Sequence, residues 1–242
     1  MTAKKGGKTL LSFDFGYFLN VLPKVAEALP FTAFVIVASA VLSILVGALV
    51  SIVRIRRTPV LYGIAEGWLS FVRSMPFVLL LFLMYFTVPA FLRAAGADVS
   101  SIPKVVYVIL AVVFGFAPII AEVIRPVYFA IDRGQHEAAL VFGFTPWQRI
   151  SKIIIPQMVP MLLPPMVNQV IEIVKDTSLM YMLGLMDMMG RANMMIHVNL
   201  GRGKLENYIA VAILYWAVIA ALEAVMQYLN KRNSKGFTGG EV

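Results

Sequence analysis

Apolar residues run along this chain in five blocks, at about Pro30–Val53, Gly67–Leu92, Pro103–Ile124, Ile153–Lys175 and Tyr208–Leu229, each bounded by polar or charged residues. Each block is long enough to cross a hydrocarbon core of about 30 Å at about 1.5 Å per residue. The pattern predicts an all-α integral membrane fold with about five transmembrane helices, because a spanning segment must satisfy its own backbone hydrogen bonds. Ahead of the first block, Leu10–Leu29 mixes apolar residues with Asp14, Asn20, Lys24 and Glu27. That mixture is too polar to span and suits a helix lying in the membrane interface. The expected organisation is a tail and interfacial helix over 1–29, a transmembrane domain over 30–230 and a tail over 231–242, whose SKGFTGGEV end is loose in character.

The blocks are interrupted in informative ways. Ser39, Ala40, Ser43, Gly47 and Ala48 give the first a stripe of small residues that lets another helix approach closely. Arg73 and Pro76 stand inside the second block, and Pro118 and Glu122 inside the third. Pro156, Pro160, Pro164 and Pro165 crowd the early half of the fourth, removing amide donors and freeing carbonyls that must face protein or water.

Between the third and fourth blocks lies a polar, helix-forming stretch, QHEAALVFGFTPWQRISKIIIP (Gln135–Pro156). It predicts two short helices meeting at a corner. The first carries Glu137, Ala138 and Ala139, with Glu137 expected in the first turn, and ends at Gly143, which tolerates the left-handed conformation. Thr145-Pro146-Trp147-Gln148 announces the second helix as a capping box with Pro at the first helical position.

Composition agrees with a membrane protein: 60% of residues are hydrophobic and 14% charged, against about 45–50% and 25% in soluble chains. Cysteine is absent, which excludes disulfides and thiolate chemistry. The net charge of +8 serves orientation and anionic headgroups here, and no nucleic-acid partner is expected. Arg54, Arg56, Arg57, Arg133, Arg149, Lys152, Lys231, Arg232 and Lys235 fall on one face of a five-span topology. The positive-inside rule makes that face cytoplasmic, with the N-terminus outside and the C-terminus inside, although Lys4, Lys5, Lys8, Arg93, Lys104, Arg191, Arg202 and Lys204 on the other face dilute the bias.

Several polar residues inside the blocks are candidates for function. Arg73 and Glu122 can pair, either as a gate or as a structural bridge between the second and third spans. Asn168 and Glu172, four apart, share one helix face that can line a cavity; Glu172 either attracts a substrate ammonium or pairs with Lys175. Asp176 or Thr177 can cap a further short helix near Leu179. Half of the chain's 14 methionines follow, from Met180 to Met195, as packing or as a surface tolerant of sliding neighbours. His136 and His197 stand apart and form no metal pair. No phosphate-cradling glycine loop and no catalytic constellation is present, so any ATP chemistry belongs to another chain.

Glu137-Ala138-Ala139, Gly143 and Ile155-Pro156 resemble the EAA signature of the membrane-spanning subunits of ATP-binding-cassette importers. Phe71–Phe86, Ala121–Arg125, Gly134–Phe144, Ile155–Gln157 and Pro164–Leu179 resemble, in consistent order, the branch that takes up polar amino acids such as histidine, glutamine and arginine. Ser74-Met75 and Pro126 depart from the branch's usual residues. The resemblance implies a non-hydrolytic permease subunit in a bacterial inner membrane, working with a second permease subunit, a dimer of ATPases carrying ATP and Mg, and an extracytoplasmic binding protein. It makes Glu137, Ala138, Ala139, Gly143 and Phe144 the ATPase-docking residues, and Asn168, Glu172 and Met75 the substrate pathway. The chain itself would hold no cofactor. Glu172 leans the substrate toward a cationic amino acid. The alternative, an ion-coupled secondary transporter or channel, calls for an inverted repeat, into which five spans do not divide.

Overall fold

The computed structural model describes residues 13–234, with side chains through 228. Among these, ten α-helices follow one another: α1 (Phe15–Ala26), α2 (Leu29–Arg56), α3 (Pro59–Arg73), α4 (Phe77–Ala94), α5 (Lys104–Ala130), α6 (Arg133–Val141), α7 (Pro146–Arg149), α8 (Ile155–Thr177), α9 (Met188–Val198) and α10 (Lys204–Ser234). A π-helical segment, Ile150–Ile154, joins α7 to α8, and a 3-10 helix, Ser178–Leu183, follows α8. Five stretches are long and apolar enough to cross a membrane: α2, α4, α5, the run Pro146–Leu183 and α10. The residues expected to be tails lie wholly or mostly outside the described part of the chain.

The expected second span, Gly67–Leu92, is not one helix. It breaks at Ser74–Pro76, leaving α3 and α4 as separate elements. Pro76 has no amide to donate and disfavours a helical Met75, so the helix stops just before it. The third span runs on to Ala130, six residues past its expected end, carrying Pro118 and Pro126 within it. The helix expected in the Leu10–Leu29 region is α1, started by Asp14, whose carboxylate accepts from the Tyr17 amide at 3.0 Å.

Helix α5 is the spine. Val35 of α2 shares a buried cluster with Val108, Ala40 another with Val112, Phe116 and Ile120, and Gly47 abuts Ala117 and Ile120, so α2 runs parallel to α5. Of the small-residue stripe, Ser39, Ala40, Ser43 and Gly47 are buried and Ala48 is half-buried, and the buried face also includes Thr32, Val35, Ile36, Ser51 and Arg54. At Gly47 a Cβ would stand 2.6 Å from Ile120 Cγ2 and 2.8 Å from the Ala117 carbonyl oxygen, so glycine there permits the approach. α4 and α8 return the other way, α4 seating Leu80 and Phe77 against Gly115 and α8 seating Ile173 in the Ala40–Ile120 cluster. The polar corner therefore sits at the end where α2, α5 and α10 finish.

The opposite end is pinned by buried polar contacts. α9 begins at Asp187, fully buried, whose carboxylate accepts from the amides of Met189 and Gly190 and from the Tyr215 hydroxyl of α10 at 3.0 Å. The Met188 amide donates to Thr32 of α2. Arg191 pairs with Glu27. Asp187 lies between the spanning stretches, and burial pushes its carboxyl up to about 6 while its donors pull the other way.

Two outcomes follow from these contacts. Gly47→Ala forces α2 off α5 and costs about 1–3 kcal/mol of stability, as overpacking does, read as a lower thermal midpoint in detergent. Gly63→Ala, where a Cβ meets nothing within 4 Å, leaves it unchanged or higher. The second concerns Asp187. Its folded pKa lies above the ordinary 3.8, so the stability it contributes is complete below 3.8 and lost as pH rises through about 6. Tyr215→Phe removes a donor that the ionised carboxylate binds more strongly than the neutral acid does; the variant is therefore destabilised by about 1–3 kcal/mol above that pH and by less below it, read from paired thermal melts.

Candidate functional site

The corner is built from stop and start signals placed back to back. α5 ends at Ala130, Ile131 being extended, and Asp132 caps α6 by accepting from the Gly134 amide at 2.5 Å. That cap, overlooked in the sequence, sets the helix start at Arg133. Glu137 is consequently in the middle of α6 and not in its first turn. The helix closes with a left-handed Gly143, φ 72°, the Phe144 amide reaching Ala139 and the Gly143 amide reaching Leu140. This double bond pattern is the Schellman closure. The predicted capping box forms in full: the Gln148 amide donates to Thr145 Oγ1 at 3.3 Å, and the Thr145 amide to Gln148 Oε1 at 2.9 Å.

Beneath the corner, Ile131, Ile154 and Met158 form a buried plug with Ile124, Val127 and Tyr128 of α5. The π segment belongs to this plug. Pro156 cannot donate to Lys152, and the Ile155 amide instead reaches back five residues to Ile150. Two further contacts fasten α6: Gln157 Nε2 donates to Gln135 Oε1 at 3.4 Å, and the His136 ring stands edge-on to Tyr128 at 5.7 Å. Only Ala139 of α6 is buried.

The outward side is apolar. Leu140, Val141, Phe142 and Trp147 are 59%, 85%, 79% and 73% exposed, with Glu137 and Ala138 exposed among them. Of the expected docking residues, Glu137, Ala138 and Gly143 lie open, Phe144 is half-buried and Ala139 turns inward. The apolar quartet escaped the sequence reading, although four bulky hydrophobics within a polar stretch were its signal.

The expected charged pairs both form. Arg73 donates to Glu122 at 2.8 Å, joining the end of α3 to α5. Lys175 Nζ stands 2.5 Å from Glu172 Oε1 one helical turn away, both side chains half exposed. Asn168 is exposed one turn before Glu172, so Met161, Pro164, Asn168, Glu172 and Lys175 make one open face of α8. An ion pair in a spanning helix would be costly against lipid, so this face meets water or protein. Met75 is half-buried in the break between α3 and α4, on a different element from Asn168 and Glu172. The helix expected near Leu179 is the 3-10 helix, but neither Asp176 nor Thr177 caps it: the Thr177 hydroxyl donates back to the Val174 carbonyl.

Two surface grooves, of about 530 and 580 Å³, are almost wholly apolar and lie on α3 with Phe114 and along α2, away from the charged face of α8. They have no polar group to orient a solute, and the charged face is the better site. Among the described residues, no group of three His, Cys, Asp or Glu side chains converges as a metal site.

The chain is 31% identical over 94% of its length, and 94% of the relative's, to the L-cystine transport system permease protein TcyL of Bacillus subtilis strain 168. It is 31% identical to the probable amino-acid ABC transporter permease protein PatM of Vibrio harveyi, covering 94% of this chain and 99% of that one. A crystal structure of an amino acid ABC transporter with histidines superposes with a TM-score of 0.76 at 22% identity, over 92% of this chain and all of that one, and so shares the fold. A family model of binding-protein-dependent transport system inner membrane components matches residues 39–235, which take in most of the first span, the other four and the corner. This chain therefore belongs to the family of inner membrane components of binding-protein-dependent transport systems.

Proposed function

We propose that the protein is the permease subunit of an ATP-driven importer of a polar amino acid, with residues 30–230 as its transmembrane domain. The observation that carries this reading is the corner: two short helices, rigidly capped and plugged into the ends of α5 and α8, that present four exposed apolar side chains. A membrane chain without a nucleotide-binding loop, ending three helices at one side under such a surface, is shaped to be gripped by a separate motor. The corner faces the cytoplasm, the N-terminus lies outside, and Glu137, Ala138, Gly143 and Phe144 meet a dimer of ATPase subunits that hold ATP and Mg. A second permease subunit completes the pathway, and an extracytoplasmic binding protein delivers the solute.

Nucleotide-driven closure of the ATPases moves the corner. Because Ile131, Ile154 and Met158 tie it to both α5 and α8, the displacement passes to both spans together. The switch is a rigid-body change between two packings. In this scheme Asn168 and Glu172 meet the solute, Met75 lines the route at the α3–α4 break, and the Arg73–Glu122 pair opens and closes with the inner gate. The amino-acid class rests on the relatives' names, TcyL and PatM among them.

Orientation is testable because the chain has no cysteine. A membrane-impermeant maleimide labels Trp147→Cys in inside-out vesicles and not in right-side-out ones; the reverse pattern refutes the topology. Docking and transport are tested with the full assembly. An ATPase subunit copurifies in detergent and is released by Glu137→Lys combined with Gly143→Asp, and ATP hydrolysis by the reconstituted wild type rises when the binding protein carries its amino acid. Persistence of the complex in the double variant, or hydrolysis indifferent to every amino acid, counts against the reading.

A further inference from the structure

Glu172 is not a bare anion. Lys175 already neutralises it, so the open face of α8 presents one positive and one negative group side by side, with Asn168 a turn away offering both a donor and an acceptor. Both charges are half exposed within a spanning stretch, which places them against water or a partner and not against acyl chains. A purely cationic ligand that took Glu172 would set its charge beside that of Lys175, leaving the adjacent, half-buried Asp176 as the carboxylate near both. An anionic one that took Lys175 would strand Glu172. A ligand bearing one ammonium and one carboxylate on adjacent atoms leaves neither alone.

We infer that Glu172 and Lys175 form a partner-exchange clamp for the zwitterionic backbone of an α-amino acid. On binding, the ligand's α-ammonium replaces Lys175 on Glu172, and its α-carboxylate takes the released Lys175. One ion pair becomes two with no net charge brought to the site. Asn168 is placed to bond either backbone group. The clamp rests on the amino-acid reading above and deepens it: this face recognises the backbone common to amino acids, and charge on the substrate's side chain gives no advantage here. That differs from the cationic preference suggested by Glu172 alone. Since the resting pair must be broken, binding is weak by construction, as a site that must also release its solute requires.

The test uses the permease–ATPase complex without its binding protein, and equilibrium binding of L-glutamine, L-cystine, L-glutamate and L-arginine. For whichever binds wild type most tightly, the methyl ester, which masks the carboxylate, and the N-acetyl derivative, which masks the ammonium, bind at least about tenfold more weakly, as loss of a charged hydrogen bond requires. Lys175→Gln brings ester and free acid within about twofold while keeping the N-acetyl penalty. Glu172→Gln does the converse, and Lys175→Arg preserves both penalties. The clamp is overturned if wild type fails to discriminate against the ester, a comparison that stands even if a variant does not assemble, or if Lys175→Gln keeps the wild-type ratio. It is also overturned, with the importer reading intact, if none of the four binds while amino acid delivered by the binding protein still stimulates ATP hydrolysis. Absence of any stimulation removes both.

Discussion

Hydrocarbon offers no partner to a polar group, and the architecture is a set of answers to that constraint. α2 carries serines, a glycine and an arginine by turning them inward, and Gly47 is small enough for its backbone to meet that of α5. Arg54, 4% exposed, lies at the end of this seam and is bonded to Glu66 of α3. What the seam cannot absorb is gathered on α8, where prolines and an ion pair share one open face. Lipid provides no apolar drive between helices, so close packing of small residues holds the seam, where the hydroxyls of Ser39 and Ser43 are buried without a partner.

The corner and the opposite end solve their problems differently. At the corner the backbone satisfies itself through Asp132, the Gly143 closure and the Thr145–Gln148 box, leaving the side chains of Leu140, Val141, Phe142 and Trp147 free for another surface. At the other end, Thr32 of α2 accepts from the Met188 amide and Asp187 accepts from Tyr215 of α10, while Val198 and Leu200 stand exposed.

How much was legible in the sequence follows from the range over which each signal acts. The number of spans, the Gly143 stop and the capping box depend on neighbouring residues and appear as read, whereas the second span is cut short at its start and the third runs on. The pairs Arg73–Glu122 and Glu172–Lys175 were also foreseeable, because few partners are available to a charge inside an apolar block. The break at Ser74–Pro76 was hidden by averaging: Phe77–Phe86 is so apolar that it masks the cut before it. Asp132 was missed because Glu137, five positions on, drew the reading of the helix start. Nothing local announces the Ile131–Ile154–Met158 plug or the Asp187 seat, since both join residues far apart in the chain.

The π segment sets more than a local bond pattern. Each residue of an α-helix turns the chain by about 100°, so one residue more in the stretch between corner and span changes the bearing of everything beyond it. Ile150–Ile154, with its reach of five residues, is where that surplus is accommodated. The compass direction of Asn168 and Glu172 is thus written upstream, in the winding just before Pro156. Length in that stretch acts as phase, and a chain shortened or lengthened by a single residue there would keep its spans yet point its charged face at a different neighbour.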